Sequence, residues 1–212
     1  PGAVNAGFNI REVDINLEVS KRVGQLLTAA GRSSVYTWHT DPGLAVDNTG
    51  DPNSSQARAT ICNNAQSRLV VSIHTNSVAD PNRDGTWVGY HGKESKPFAA
   101  AMRDRMWNDL FVGSSWEAGA TLYRLEVFAN GVLIWTDAPS VLVEPLFLSH
   151  PGEAAALQTA LFDGGGAACS DCRREQIAQS IAAGLKAELD KLDGGGGGGG
   201  NCPPGKKNQG KC

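Results

Sequence analysis

Apolar residues recur at helical spacing from Ile15 through Val19, Val23, Leu26 and Leu27, and the pattern stops at Ala30-Gly31, a suitable helix C-cap. SSVYT (33–37) then reads as a strand. Residues 38–54 are polar and rich in Asp, Asn, Pro and Gly, which predicts a loop. A helix over 56–66 leads into LVVSIH (69–74), a β-branched run of the kind that forms interior strands of parallel sheets. GTWVGYHG (85–92) is a further strand and SKPFAAAMRDRMWNDL (95–110) an amphipathic helix. Irregular or edge strands are expected over 122–135, and SVLVEPLFLSH (140–150) supplies another buried strand. A helix from about Glu153, a glycine-rich loop at 164–166 and a last helix over 173–192 follow. Strands alternating with helices predict an α/β fold: a three-layer sandwich whose twisted, mostly parallel sheet is flanked by helices.

Composition divides the chain in two. Residues 1–192 form the expected domain, and 193–212 a tail of uninterrupted glycine (Gly194–Gly200) followed by the basic CPPGKKNQGKC. Hydrophobic content of 41% and charged content of 19% are globular values, and the net charge of -3 gives no reason to expect a nucleic-acid partner. No apolar segment approaches the about 18 residues that span a bilayer. The chain opens PGAVNAGFNIRE, without an initiator methionine, so the lack of a visible leader carries no weight.

Of the five cysteines, Cys62 lies in a helical-looking stretch and is expected in the core. Cys169/Cys172 and Cys202/Cys212 are preferred as two local disulfides, which favours an oxidising, extracytoplasmic compartment. A zinc site at the lone C-x-x-C would need two more ligands nearby.

Three residues carry candidate chemistry. His74 and Glu144 each terminate an apolar run, and ligands in open α/β sheets sit beyond the carboxyl ends of strands. Each also has a plain reading, as a hydrogen-bonded rim histidine and a solvated rim carboxylate. Glu12 falls in the first turn of the first helix, where Asn9 three residues earlier fits a capping-box start and the helix dipole favours an acid. Together they suit metal chemistry. An imidazole and a carboxylate are good zinc ligands, and a second carboxylate beside bound water is a good general base.

PGAVNAGFNIREVDINLEVSKRVGQLLTAAG, QARATICNNAQSRLVVSIHTNS and PSVLVEPLFLSHPGEAAAL resemble successive blocks of the zinc-dependent N-acetylmuramoyl-L-alanine amidases of the amidase-3 type. The resemblance runs from Pro1 to about Leu192, and S-I-H-x-N and the late strand ending in Glu are its most specific parts. It implies a single Zn²⁺ as cofactor, with Glu12 and His74 among its ligands and Glu144 as the catalytic carboxylate. It also implies hydrolysis of the amide between N-acetylmuramic acid and L-alanine, in a cell-wall, sporulation or phage-lysis setting. Peptidoglycan is the expected partner, a monomer the expected state, and an extracytoplasmic location follows.

The family's first zinc-binding His lies in a D-P-G-H-G-G type segment just ahead of the position of Pro1, so the chain reads as beginning after it. His39, His91 and His150 do not match that position. The family usually has a glycine after the Glu-aliphatic pair of the late strand, whereas the run here is EPLFLSH, with Pro145 and Leu146, and Trp38 stands where an Arg is common. These departures motivate an alternative: a non-catalytic peptidoglycan-binding domain with the same fold and an incomplete metal site. A zinc peptidase of another type is disfavoured, because no H-E-x-x-H occurs.

Overall fold

Local sequence signals account for most of the elements in the computed structural model, which describes residues 2–37, 54–162 and 169–194. Val4–Asn5 (β1) and Ile10–Arg11 (β2) pair antiparallel around one 3-10 turn, closed by Asn9 in the left-handed region at φ 52°. Glu12–Ala29 forms α1, which buries the expected stripe Ile15, Val19, Val23 and Leu27. Ser55–Asn64 (α2) starts at Ser54, whose hydroxyl accepts from Ala57 N–H at 3.1 Å. Then come Val70–Ile73 (β3), Asp84–Tyr90 (β4), Lys96–Leu110 (α3) and Ala120–Val127 (β5). Gly131–Trp135 (α4), Ser140–Glu144 (β6), Pro151–Leu157 (α5) and Arg173–Gly194 (α6) complete the order.

The main sheet has the order β3-β6-β4-β5. β3/β6 and β4/β5 are parallel, and β6/β4 is antiparallel. Helices lie on both faces. Val88, Val141 and Val143 pack with residues of α1, α3 and α6, among them Val19, Met102 and Ile181. On the other face the short α2 and α4 cover Val70 with Cys62 and Val132, and cover Trp87 and Leu142 with Leu133. The three-layer α/β expectation holds. A bulge at Asp84/Gly85 brings β5 so close that a Cβ on Gly85 would stand 2.1 Å from the Leu122 carbonyl oxygen.

Three local expectations change. Residues 33–37 join no ladder, because a strand-like run becomes a strand only where a partner offers its edge. Tyr36 instead donates its hydroxyl to the Lys21 carbonyl at 3.3 Å. The 122–135 region divides into the edge strand β5 and the helix α4. Asn9 does not cap α1; the N-cap is Arg11 with no side-chain cap bond, because Asn9 is committed to closing the preceding turn. Cys62 is buried as expected, and Cys169 and Cys172 are disulfide-bonded. The loop expected over 38–53, the glycine loop at 164–166 and the tail from 195, with Cys202 and Cys212, lie outside the described residues.

One buried ion pair fastens the end of the molecule that carries β6. Arg173 donates to both Glu153 oxygens, at 2.8 and 2.5 Å, and to the Leu110 carbonyl at 3.0 Å. Burial lifts the Glu153 carboxyl to about 7, Arg173 pulls the other way, and the neighbouring Asp84 reinforces the lift. Arg173→Ala is expected to cost about 3–5 kcal/mol by leaving that carboxylate buried without its partner. The loss should shrink from pH 8 to pH 5 as Glu153 takes up a proton. Denaturant unfolding at the two pH values measures it, and a pH-independent loss under 1 kcal/mol would contradict the pairing.

Candidate active site

The antiparallel step between β6 and β4 decides which chain ends meet. β3 and β6 run parallel with Ile73 opposite Val143, so His74 leaves β3 alongside Glu144, its backbone N–H donating to the Val143 carbonyl at 2.9 Å. β4 begins at that edge, with Trp87 opposite Glu144. The first residue of α1, Glu12, arrives there as well, and its Oε1 lies 2.9 Å from His74 Nδ1. The structure thus brings all three candidate residues to one edge of the sheet.

Glu12 is almost buried and surrounded by donors. Its Oε2 accepts from Ala3 N–H at 2.7 Å, and Oε1 accepts from Asn16 Nδ2 at 3.2 Å and Thr75 N–H at 3.4 Å. The Thr75 hydroxyl donates to Asn16 Oδ1 at 2.8 Å, which turns the Asn16 amide nitrogen toward Glu12. Burial pushes the Glu12 carboxyl up, but His74 and the backbone donors outweigh it and bring it to about 2. Glu12 is therefore an anion at any ordinary pH. Gly2, at φ 73°, lets the chain pass beside it; a Cβ there would stand 3.0 Å from Glu12 Oε2.

Glu144 has the opposite setting. Burial lifts its carboxyl to about 7, with His74 opposing, the Glu12 charge reinforcing and a hydrogen bond from Asn76 opposing again. Asn76 Oδ1 accepts from Ser77 N–H at 2.8 Å, so its NH₂ is the group left to face Glu144. Sequence reasoning passed over Asn76, although it lies two residues beyond His74 in the same strand-like run, hence on the same face.

Segment 145–148 behind Glu144 is held from both sides. Asn76 N–H donates to the Leu146 carbonyl at 3.1 Å, and Leu148 N–H donates to the Asn76 carbonyl at 2.6 Å. Opposite, the Thr86 hydroxyl donates to the Pro145 carbonyl at 3.1 Å, and Phe147 N–H donates to Asp84 at 3.2 Å. Pro145 costs this segment nothing, since the bonds on it run through its carbonyl.

The Glu12–His74 pair has the donor chemistry zinc takes. Two ligands about 2.0–2.1 Å from one tetrahedral zinc stand roughly 3.3 Å apart, close to the observed 2.9 Å. The described residues supply this pair, and among them no cluster of three or more His, Cys, Asp or Glu side chains forms a metal site. His150 is used otherwise, as the N-cap of α5, its Nδ1 accepting from Glu153 N–H at 3.3 Å. His91 follows β4 at the opposite edge of the sheet, and His39 lies outside the described residues.

Known proteins are similar to this chain in sequence and in fold. Residues 1–187 match the family model Amidase_3, described as N-acetylmuramoyl-L-alanine amidase. The chain is 28% identical over 163 residues to the germination-specific N-acetylmuramoyl-L-alanine amidase of Bacillus subtilis (strain 168), a match covering 74% of this chain and 65% of that protein. It is 27% identical over 165 residues to N-acetylmuramoyl-L-alanine amidase LytC of the same strain, covering 76% of this chain and 29% of the relative. The chain therefore spans less than two thirds of either relative's length. The catalytic domain of CwlV, an N-acetylmuramoyl-L-alanine amidase from Bacillus (Paenibacillus) polymyxa var. colistinus, superposes with a TM-score of 0.67 at 26% identity, over 89% of this chain and 90% of that one. With residues 1–187 matched, a span that includes Glu12, His74 and Glu144, the chain belongs to the Amidase_3 family of N-acetylmuramoyl-L-alanine amidases.

Proposed function

We propose that this chain hydrolyses the amide between N-acetylmuramic acid and L-alanine in peptidoglycan, with Glu12 and His74 as zinc ligands and Glu144 as the proton-transfer group. The observation that carries the reading is the convergence of an ionised carboxylate, an imidazole and a carboxyl lifted to about 7 at one sheet edge, in a chain of this family. Zinc held there would supply Lewis-acid activation of water and of the scissile carbonyl.

The chain's own groups do the rest. Glu12, anionic and fixed by Ala3, Asn16 and Thr75, holds a cation without first losing a proton. Glu144 takes a proton from the attacking water and returns it to the departing alanine nitrogen, which must be protonated because an amide anion is a very poor leaving group. A carboxyl balanced near neutrality performs both halves of that exchange. Asn76 aims it and supports its ionised form.

Peptidoglycan is the proposed partner and an extracytoplasmic location, in a wall or lysis setting, the proposed site of action. No described helix is long and apolar enough to cross a membrane. Release of alanine N-termini from purified peptidoglycan tests the activity; its absence with zinc supplied would favour a wall-binding module instead. Glu144 must be ionised to accept a proton, so the rate is expected to rise with pH and level off above about 7. A bound cation moves that limb lower, never higher, and a pH–rate profile of kcat/KM checks it.

A further inference from the structure

We propose that Arg124 forms a carboxylate-reading subsite for the stem peptide, holding a free carboxylate on the residue beyond the L-alanine. The inference rests on the peptidoglycan reading above. It comes from the sheet register, which lines up a row of side chains on one face. Residues directly opposite in paired strands project to the same side. Trp87 is opposite Glu144 across β6/β4 and opposite Arg124 across β4/β5. Glu144, Trp87 and Arg124 thus form one row across β6, β4 and β5, with His74, the residue after β3, beside Glu144. The face is the one carrying Leu142 and Trp87 against Leu133 of α4.

Distances along the row suit the substrate. Neighbouring strands lie about 4.8 Å apart, which puts the Arg124 backbone roughly 10 Å from that of Glu144. An extended peptide advances roughly 3.3 Å per residue, so the residue after the L-alanine falls within reach of an arginine side chain. Electrostatics favour the same direction. Glu12 and Glu144 stand at the end of the row where the scissile amide would sit. Among the described strand residues of this face, Arg124 is the one Lys or Arg, and it lies at the other end.

The guanidinium is held ready. Arg124 is more than half exposed, and its Nη2 donates to Glu126 Oε1 at 3.0 Å. The other Glu126 oxygen accepts from the Trp87 indole N–H at 3.0 Å. Trp87 itself is buried, edge-on to Phe128 at 5.2 Å and folded over Gly89, where a Cβ would stand 2.5 Å from its ring. A free surface ion pair has no such anchor. No described residue bonds Nε or Nη1, so the fork retains donors for an incoming carboxylate.

The test uses two muramoyl tripeptides, N-acetylmuramoyl-L-alanyl-γ-D-glutamyl-L-lysine with the glutamyl α-carboxyl either free or as a carboxamide. Binding to the full chain is followed by chemical-shift titration with a chelator present to stop turnover. The wild type is expected to bind the free acid about tenfold more tightly than the amide, the worth of one charge-assisted pair. Arg124→Gln should bind both equally, and Glu126→Gln should keep the preference. Equal binding of both tripeptides by the wild type, no binding of either, or a preference surviving in Arg124→Gln overturns the proposal. Alanine release from peptidoglycan is scored separately, so a failure of this subsite is distinguishable from a failure of the amidase reading.

Discussion

Glu144→Gln is expected to lower hydrolysis about 10²–10⁴-fold while the fold persists. Glutamine has the shape of the carboxyl and still offers an oxygen to the Asn76 amide, so packing and the hold on segment 145–148 survive. The proton exchange does not, because an amide neither accepts nor returns the proton. Stability moves the other way. The folded Glu144 carboxyl is raised from 4.5 to about 7, chiefly by burial. The stability tied to its protonated form is full below pH 4.5 and is lost as pH rises through about 7. Glutamine escapes that loss, so the variant should melt no lower than the parent at pH 8. Alanine release and thermal unfolding on the same preparation give both numbers, and near-normal turnover would remove Glu144 from proton transfer.

His74→Ala is expected to weaken zinc binding more than about 100-fold, and activity should fall with it. Changing a residue that merely supports a ligand costs about 10–100-fold, and His74 is proposed as a ligand itself. Thr75→Val supplies the intermediate case. It removes the hydroxyl that orients Asn16 toward Glu12 and leaves both proposed ligands in place. Zinc titration should rank wild type, Thr75→Val and His74→Ala in that order. The fold should hold in His74→Ala, since Glu12 keeps its bonds from Ala3, Asn16 and Thr75. Undiminished zinc affinity in His74→Ala would place the metal elsewhere.

The clamp on segment 145–148 bears on how far the departures from the family pattern matter. Pro145 and Leu146 stand where the family commonly has other residues, yet the segment's hydrogen bonds run to Asn76, Thr86 and Asp84 through backbone groups these residues still provide. Beneath it, Asp84 adjoins Glu153, and Glu153 is gripped by Arg173. The support for Glu144 is therefore tertiary and insensitive to the side chains immediately after it.

What the sequence determined by itself is what repeats over a few residues. The stripe Ile15-Val19-Val23-Leu27 sets a helix, and the β-branched runs ending at His74 and Glu144 set two strands with polar residues at their carboxyl ends. Both read correctly because side-chain burial follows the 3.6 and 2 periods that are written locally. Glu12 was legible as a first-turn acid, but its capping-box reading failed: whether Asn9 caps α1 or closes the turn before it depends on the β1/β2 pairing. The strand reading of residues 33–37 failed for the same kind of reason, since strand character needs an edge to pair with, and no local pattern says whether one exists. Only the tertiary structure decided that β4 runs against β6. The parallel β3/β6 pairing puts both strand ends at one edge, the antiparallel step adds the start of β4 and carries the row from Glu144 through Trp87 to Arg124, and α1 brings Glu12 against His74 across 62 residues. Strand order, direction and register are settled by which buried faces fit together along the whole chain, so the meeting of these groups is a property of the packed core and not of any segment.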